Sequence, residues 1–406
     1  MALLFALVFH AFYVTALGGI GAPFLAQEFG FDDAAITRIA GWVSLGAFGT
    51  AYLTRLADRH GRRRVLVLSF AGMAPFCVAT AIATSVPGYV VPQIAVNALA
   101  GTLGTALAVA VAEEAPDERR ARAQGEFGVF IAFGGAIALG LSTIERWLPG
   151  GWRFFWIVAA APIVALPWVR SGLLETGRFN AARDSGRVAA TRGRDLLQGP
   201  HRRRALGLLA VGLLKPISLT AIGTWPFYHM VKTLALAPGW ASLVYVVGGG
   251  IGIFGNPLGA RLTDRWGRRP TSVLSTTIAV LAGVGFFFVP RTPKLDVVLP
   301  PLMALMTVNQ IATSAYSVAD RCIDAELFPT ALRATYLGAA RLMNAAAGVI
   351  SMFALSGLAT PLGGLPKAIA AVAAVTLLPA LAIFLVVVPE TRGLTLEHAS
   401  LESVEP

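Results

Sequence analysis

Leu56-Ala57-Asp58-Arg59-His60-Gly61-Arg62-Arg63 is the stretch that decides the fold, because it occurs twice. It returns 206 residues later as Leu262-Thr263-Asp264-Arg265-Trp266-Gly267-Arg268-Arg269, about half the length of the 406-residue chain. Each copy follows one apolar stretch and precedes the next. A motif repeated at half the chain length predicts two similar halves.

A second motif supports the same division. Ala112-Glu113, Pro116 and Arg120 match Ala325-Glu326, Pro329 and Arg333 at a spacing of 213 residues. Two motifs that recur at nearly one spacing indicate a duplication of the whole unit. The repeat is therefore structural rather than a coincidence of composition.

The composition predicts that the halves lie in a membrane. Apolar residues make up 56% of the chain and charged residues 14%, with a mean hydropathy of +0.68. A soluble protein carries roughly 25% charged residues. A spanning helix needs about 20 mostly apolar residues. The predicted spans are 2–25, 36–56, 65–85, 88–112, 124–144, 152–170, 205–231, 238–261, 270–290, 298–320, 334–357 and 365–388.

These spans predict an all-α membrane protein with twelve transmembrane helices in two pseudo-symmetric six-helix bundles. The predicted domains are an N-terminal bundle (1–170), a cytoplasmic linker (171–204), a C-terminal bundle (205–389) and a cytoplasmic tail (390–406). The apolar stretch from Ala2 exceeds the h-region of a signal peptide and is interpreted as the first helix. The lack of a polar segment before it is compatible with a longer native N-terminus.

Charge predicts the orientation. With both termini inside, the inner loops hold 24 of the 33 Lys and Arg residues and the outer loops hold seven, as the positive-inside rule requires.

The net charge of +11 does not indicate nucleic-acid binding, because the basic residues lie between apolar spans rather than on a soluble face. Cys77 and Cys322 fall in different spans, so no disulfide framework, metal or cofactor is expected.

The repeated loop has a readable physical role. Gly61 and Gly267 permit a tight reversal between two helices, and the loop aspartates can bind a helix N-terminus or an arginine. We interpret the loops as a gate that opens and closes, while a purely topological basic loop is the alternative. The predicted gating residues are Asp58, Arg59, Gly61, Arg62, Asp264, Arg265, Gly267, Arg268, Glu113, Arg120, Glu326, Arg333 and Arg341.

These motifs closely resemble those of the major facilitator superfamily. Pro389-Glu390-Thr391-Arg392-Gly393 looks like the C-terminal ending of sugar porters, and Glu326-Leu327-Phe328-Pro329-Thr330 looks like a loop shared with metabolite–proton symporters. Glu175 and Arg178 match the spacing of a sugar-porter motif, but the prolines of that motif are absent from this sequence. The resemblance implies a monomeric secondary transporter in the inner membrane, working by alternating access with proton coupling.

Polar residues inside the spans are the candidate substrate site, because they are costly in lipid. Lys215 lies about 15 Å into its span, near the middle of a ~30 Å core, and Pro216 weakens the helix there. A buried ammonium group can bind a substrate carboxylate, or it can be a structural lysine. The predicted substrate-binding residues are Lys215, Ser218, Trp225, Tyr228, Asn309, Gln310, Thr313, Tyr316, Gln93 and Asn97.

Two residues are candidates for proton coupling, since helix one lacks the acidic residue that many proton-coupled members use. His10, one turn from Tyr13, titrates near neutrality, and Glu126 lies near the inner end of helix five. A structural histidine and a glutamate paired with an arginine are the alternatives. No acid is expected near the middle of any span.

The predicted function is transport of a small polar organic solute, either an organic anion or a sugar-like metabolite. Lys215 favours the anion. An efflux carrier and an uncoupled facilitator are the alternatives. A membrane enzyme or sensor is not expected, because the sequence shows neither a catalytic constellation nor an added soluble domain.

Overall fold

The computed structural model describes residues 1–114, 120–173, 202–328 and 330–392 of the 406-residue chain. Inside these ranges the side chains of 58–60, 120, 121, 124, 325, 330, 331, 333 and 334 lie outside the description. All regular elements of the described residues are helices. They divide the chain into two compact units, Met1–Ala189 and Ala190–Pro406.

Besides the short 3-10 helix Glu145–Trp147, the described residues of the first unit form six long helical elements in the order the spacing predicts. They are α1 Ala2–Phe29, α2 Asp33–Ser44 with Gly46–His60, α3 Arg62–Ala81, α4 Val86–Glu114, α5 Arg120–Thr143 and α6 Arg153–Gly172. A 3-10 segment, Ala161–Ala165, interrupts α6. Pro162 lies at its start, where the missing N–H of proline does the least damage.

The second unit repeats this order. Its elements are α7 Arg202–Thr233, α8 Pro238–Trp266, α9 Arg268–Phe286, α10 Leu295–Glu326, α11 Thr330–Leu362 and α12 Leu365–Val387. The first α-helical part of α7 ends at Thr224, before Trp225. A short α-helical turn, Pro226–Tyr228, follows, and α7 closes with a π-helical turn, His229–Thr233. Pro226 follows the break, since proline cannot donate the hydrogen bond that would continue the helix.

Ten helices of the described residues are long and apolar enough to cross a membrane. The other two predicted spans correspond to α2, which Leu45 divides into two shorter helices, and to α9, whose 19 residues begin with the polar stretch Arg268–Ser272. All twelve predicted spans therefore coincide with helical elements. The helices extend beyond several of the predicted ends, most of all at α10, where the prediction stopped at 320 and the helix ends at Glu326.

The two units share one packing pattern. In the first, α1 packs on α5 and α3 packs on α4; in the second, α7 packs on α11 and α9 packs on α10. Equivalent pairs thus make equivalent contacts, as the duplicated motifs predict. The predicted linker, 171–204, and the tail, 390–406, lie largely outside the described residues, so their limits remain predictions.

Small residues bring equivalent helices close together. Cβ atoms placed on Gly255 and Gly259 of α8 would collide with the backbone of α10. In the first unit a Cβ on Gly46 of α2 would collide with the backbone of α4. Lipid provides no hydrophobic force between helices, so close packing through glycine is a main source of their association. This contact fixes the position of α10, which carries the candidate site.

Candidate functional site

Lys215 forms the centre of a charged cluster in the second unit. It lies thirteen residues after the start of α7, or ~20 Å along the helix, and Pro216 follows inside the same helix. Only 8% of its side chain is exposed. A charged group so deeply buried needs a partner of opposite charge.

Asp320 of α10 is that partner. Its Oδ2 lies 2.6 Å from Lys215 Nζ, and Ser272 of α9 donates a hydrogen bond to its Oδ1 at 2.5 Å. The Lys215 ammonium group also lies 3.4 Å from the Ser272 hydroxyl and 4.4 Å from the centre of the Tyr316 ring, where cation–π attraction adds to the ion pair. Three helices thus converge on one lysine.

The cluster opens on a cavity of about 360 Å³. This volume suits a small organic molecule, since ligand pockets begin at roughly 300 Å³. The cavity is lined by Lys215, Pro216, Leu219, Thr220, Tyr316, Asp320 and Asn344. Its wall therefore offers a cation, a carboxylate, an aromatic ring, a hydroxyl and an amide.

Asp320 is a charged residue of the cavity that was not among the residues predicted from the sequence. It lies at the last position of the predicted span 298–320 and six residues before the end of α10, so it does not contradict the expectation that no acid lies near the middle of a span. Reasoning from the sequence missed it because the predicted span ended at 320. The signal was nevertheless present: Asn309, Thr313, Tyr316 and Asp320 follow spacings of four, three and four residues, which place them on one helical face. An aspartate that extends a polar face inside an apolar span is a candidate partner for a buried lysine.

The other predicted substrate residues of the second unit do not line this cavity. Ser218 shares a hydrogen bond of 2.6 Å with Thr376 of α12, and Asn309 donates to the carbonyl oxygen of Ala279 at 2.8 Å. Gln310 packs against Gly252 of α8. Thr313 is half-buried.

Trp225 and Tyr228 are fully buried, with their rings 5.5 Å apart. The cavity therefore contains only two of the predicted residues from this unit, Lys215 and Tyr316. The indole nitrogen of Trp225 has no hydrogen-bond partner among the described residues.

In the first unit, the candidates have structural contacts. Gln93 donates to the Thr80 hydroxyl at 3.0 Å and is buried, whereas the Asn97 side chain is exposed. His10 is buried, and its Nε2 lies 2.8 Å from the carbonyl oxygen of Ala159 in α6. Glu126 forms an exposed ion pair of 3.0 Å with Arg122, one turn earlier. These contacts agree with the structural alternatives for His10 and Glu126.

The repeated loops adopt matching conformations. Gly61 and Gly267 have φ angles of 97° and 104°, which favour glycine and confirm the predicted reversals. Arg62 pairs with Glu113 at 2.8 Å, and Arg268 pairs with Glu326 at 3.1 Å. The two motifs of each half are thus joined by an ion pair inside their own unit.

The neighbouring arginines bind the ends of the last helices. Arg63 donates to the carbonyl oxygens of Leu173 and Arg170 at 2.6 and 2.7 Å, and Arg269 donates to that of Leu385. Glu390 accepts hydrogen bonds from the backbone N–H groups of Arg268 and Arg269 at 2.9 and 3.1 Å. A carboxylate at the start of α9 stabilises that helix terminus.

The remaining gating residues give less information. Asp264, Arg265 and Arg341 are exposed, and Arg341 forms no ion pair with a described residue. The side chains predicted to take part in the gate but lying outside the description are Asp58, Arg59, Arg120 and Arg333. Glu175 and Arg178 also lie outside the described residues. The gate remains a prediction.

Two bundles of long apolar helices, repeated motifs and a charged cavity are features expected of a polytopic membrane transporter. A family model described as "Major Facilitator Superfamily" matches residues 3–319. The chain therefore belongs to this superfamily and is a secondary transporter of small organic solutes, working by alternating access.

Curated relatives and solved structures agree with this assignment. A probable 4-methylmuconolactone transporter from Cupriavidus pinatubonensis is 27% identical over 89% of this chain and 81% of its own. A shikimate transporter from Escherichia coli is 25% identical over 70% of this chain and 66% of its own. The inward-open xylose transporter XylE from E. coli covers 100% of this chain and 99% of its own, with 18% identity and a TM-score of 0.71, which shows a shared fold.

Proposed function

We propose that this protein imports a small organic carboxylate together with protons across a bacterial inner membrane. It does so as a monomer, with both termini in the cytoplasm and with no cofactor. The substrate binds in the cavity beside Lys215, whose ammonium group is the counter-charge for the carboxylate. The repeated loops form the gate. Direction, coupling and substrate class are all parts of this proposal.

The single observation that carries it is a buried cation at the wall of a small cavity. A neutral sugar needs donors and acceptors but no net charge. A carboxylate gains a charge-assisted hydrogen bond from an ammonium group, which is roughly twice as strong as a neutral one. Tyr316, Thr220 and Asn344 then offer a ring and polar groups for the rest of a small, partly polar anion.

The shikimate transporter of E. coli supports the same substrate class. Shikimate, the substrate in its name, is a carboxylate anion. The bias of arginine towards the predicted inner loops supports the orientation. A net charge of +11 also suits a surface that faces the anionic inner leaflet.

A thermal-shift screen of the purified protein tests the substrate class. The panel contains shikimate and other carboxylates, the neutral sugar xylose, amines and hydrophobic drugs. A ligand at 100 times its Kd stabilises the native state by about 2.7 kcal/mol, so binding gives a clear rise in melting temperature. We expect carboxylates alone to give it.

Lys215→Ala is the diagnostic variant, and Lys367→Ala, which removes an exposed lysine of α12, is the matched control. We expect the first to lose the carboxylate shift and the second to keep it. Equal stabilisation of both variants by xylose or by drugs would overturn the proposal. Uptake of the stabilising carboxylate into proteoliposomes then establishes transport without any partner protein.

A further inference from the structure

Asp320 occupies the position on Lys215 that a substrate carboxylate needs. We propose that Asp320 is the proton-binding residue of this transporter, and that substrate and proton bind together because the substrate displaces Asp320 from Lys215. This inference rests on the proposed function and gives its coupling a structural basis. Asp320 acts as an internal competitor that the incoming anion must replace.

The geometry explains why displacement and protonation are linked. Both oxygens of Asp320 are engaged, Oδ2 by Lys215 at 2.6 Å and Oδ1 by Ser272 at 2.5 Å. If the substrate takes Lys215, the Asp320 carboxylate loses its ion-pair partner among the described residues, in a largely apolar bundle. An unpaired charge there is costly, and the group neutralises instead.

The coupling step transfers a single proton. One proton moves from water to a carboxylate oxygen of Asp320, while Lys215 remains an ammonium ion and pairs with the substrate. The side chain of Asp320 is 31% exposed and lines the cavity, so water can reach it. Ser272 can serve both states, because a hydroxyl donates to a carboxylate and accepts from a carboxyl group. When the substrate leaves, Asp320 releases its proton and returns to Lys215.

Other titratable groups near Asp320 have partners of their own. Asp324, one turn further along α10, accepts a hydrogen bond of 2.9 Å from Tyr336 of α11. Arg268 of α9 pairs with Glu326. The exposed Asp264 carboxylate of α8 interacts electrostatically with Arg268 and Cys322.

Tyr316 contacts Lys215 through its ring. Among the described residues, Asp320 is therefore the carboxylate in direct contact with Lys215. The earlier candidates fit the role less well, since His10 is bonded to Ala159 and Glu126 is paired at the surface.

Proton uptake on binding is the direct test. Shikimate is added to the protein in weakly buffered detergent solution that contains a pH indicator. We expect about one proton taken up for each anion bound. The affinity should then rise about tenfold for each unit by which the pH falls, because the two ligands are reciprocally coupled.

Asp320→Asn separates this role from a structural one. The variant mimics the protonated state and frees Lys215, so we expect it to bind shikimate several-fold more tightly, with no proton uptake and no dependence on pH. A merely structural residue would instead lose affinity when replaced. Asp324→Asn is the matched control and should keep the proton uptake of the parent. In proteoliposomes, Asp320→Asn should exchange shikimate but no longer accumulate it under a proton gradient.

Ser272→Ala provides a second variant that leaves both charges in place. Loss of its hydrogen bond favours the protonated form of Asp320, so the proton uptake should extend to higher pH. If shikimate and the other carboxylates fail to bind, the proposed function falls and this inference falls with it. If they bind without proton uptake, or if Asp320→Asn still takes up the proton, the inference alone is overturned and carboxylate binding stands.

Discussion

The stability of the Lys215–Asp320 pair can be measured with two apolar replacements, Lys215→Met and Asp320→Leu, alone and together. Each single change leaves one charge without its partner in the interior of the second unit. The double change removes both charges and replaces them with side chains of similar volume. The three variants and the parent form a double-mutant cycle.

The structure sets the magnitude. Loss of one partner from a fully buried ion pair costs about 3–5 kcal/mol of the free energy of unfolding. Because 31% of the Asp320 side chain is exposed, water screens part of this interaction, and we expect about 2–3 kcal/mol for the single changes. The double variant should recover to within about 1 kcal/mol of the parent, since hydrophobic replacement of a buried pair is often neutral.

The two single changes should not be equal. Lys215 is 8% exposed and Asp320 31%, so Asp320→Leu leaves the more deeply buried charge behind. Lys215→Met leaves an aspartate that water can reach and that can take up a proton. Asp320→Leu should therefore be the more destabilising variant, and lowering the pH should rescue Lys215→Met selectively.

The assay is reversible unfolding in mixed micelles of dodecyl maltoside and sodium dodecyl sulfate, followed by tryptophan fluorescence. The slope of the transition must be the same in all four proteins for the cycle to be valid. Additive effects of the two substitutions, with no recovery in the double variant, would refute the ion pair as the source of the cost.

Three further predictions concern contacts away from the cavity. Gly267→Ala should destabilise the protein by about 1–3 kcal/mol in a thermal unfolding assay, because φ is 104° and the new Cβ would collide with the Glu390 carboxylate. Gly285→Ala is the control and should be close to neutral in the same assay, because the nearest side-chain atom lies 3.6 Å from its new Cβ. His10→Gln should keep the pH dependence of transport, and a shift of that profile in proteoliposomes would restore His10 as a proton site. Glu126→Gln should change stability by less than about 0.5 kcal/mol, because its ion pair is exposed; a larger change would show that the residue has an interior contact.

Much of the fold is predictable because lipid imposes strong local rules. Every backbone group in the membrane must be satisfied within its own segment, so a long apolar stretch implies a helix. The twelve predicted spans coincide with helical elements for this reason. The reversals at Gly61 and Gly267 were equally predictable, since their motif is repeated and glycine tolerates positive φ angles.

The ends of the helices were less predictable, and this affected the candidate site. Hydropathy falls where charged residues begin, but the backbone hydrogen bonds of a helix can continue past that point. Asp320 lies at the predicted end of a span and six residues before the end of the observed helix. Hydropathy alone therefore placed Asp320 at the edge of the predicted span. In the structure, Lys215 and Ser272 bind this carboxylate inside the bundle.

By itself, the sequence determined the class of protein, the number of helices, the division into two halves and the choice of Lys215 as a candidate site residue. All of these depend on composition, repetition or the cost of a charge in lipid, which are properties of short segments. Only the tertiary structure decided which groups meet: Lys215 with Asp320 across 105 residues of chain, Ser218 with Thr376, and His10 with Ala159. Such pairings depend on how the helices of each unit pack against one another, because helical periodicity gives the face of each helix but not its neighbour.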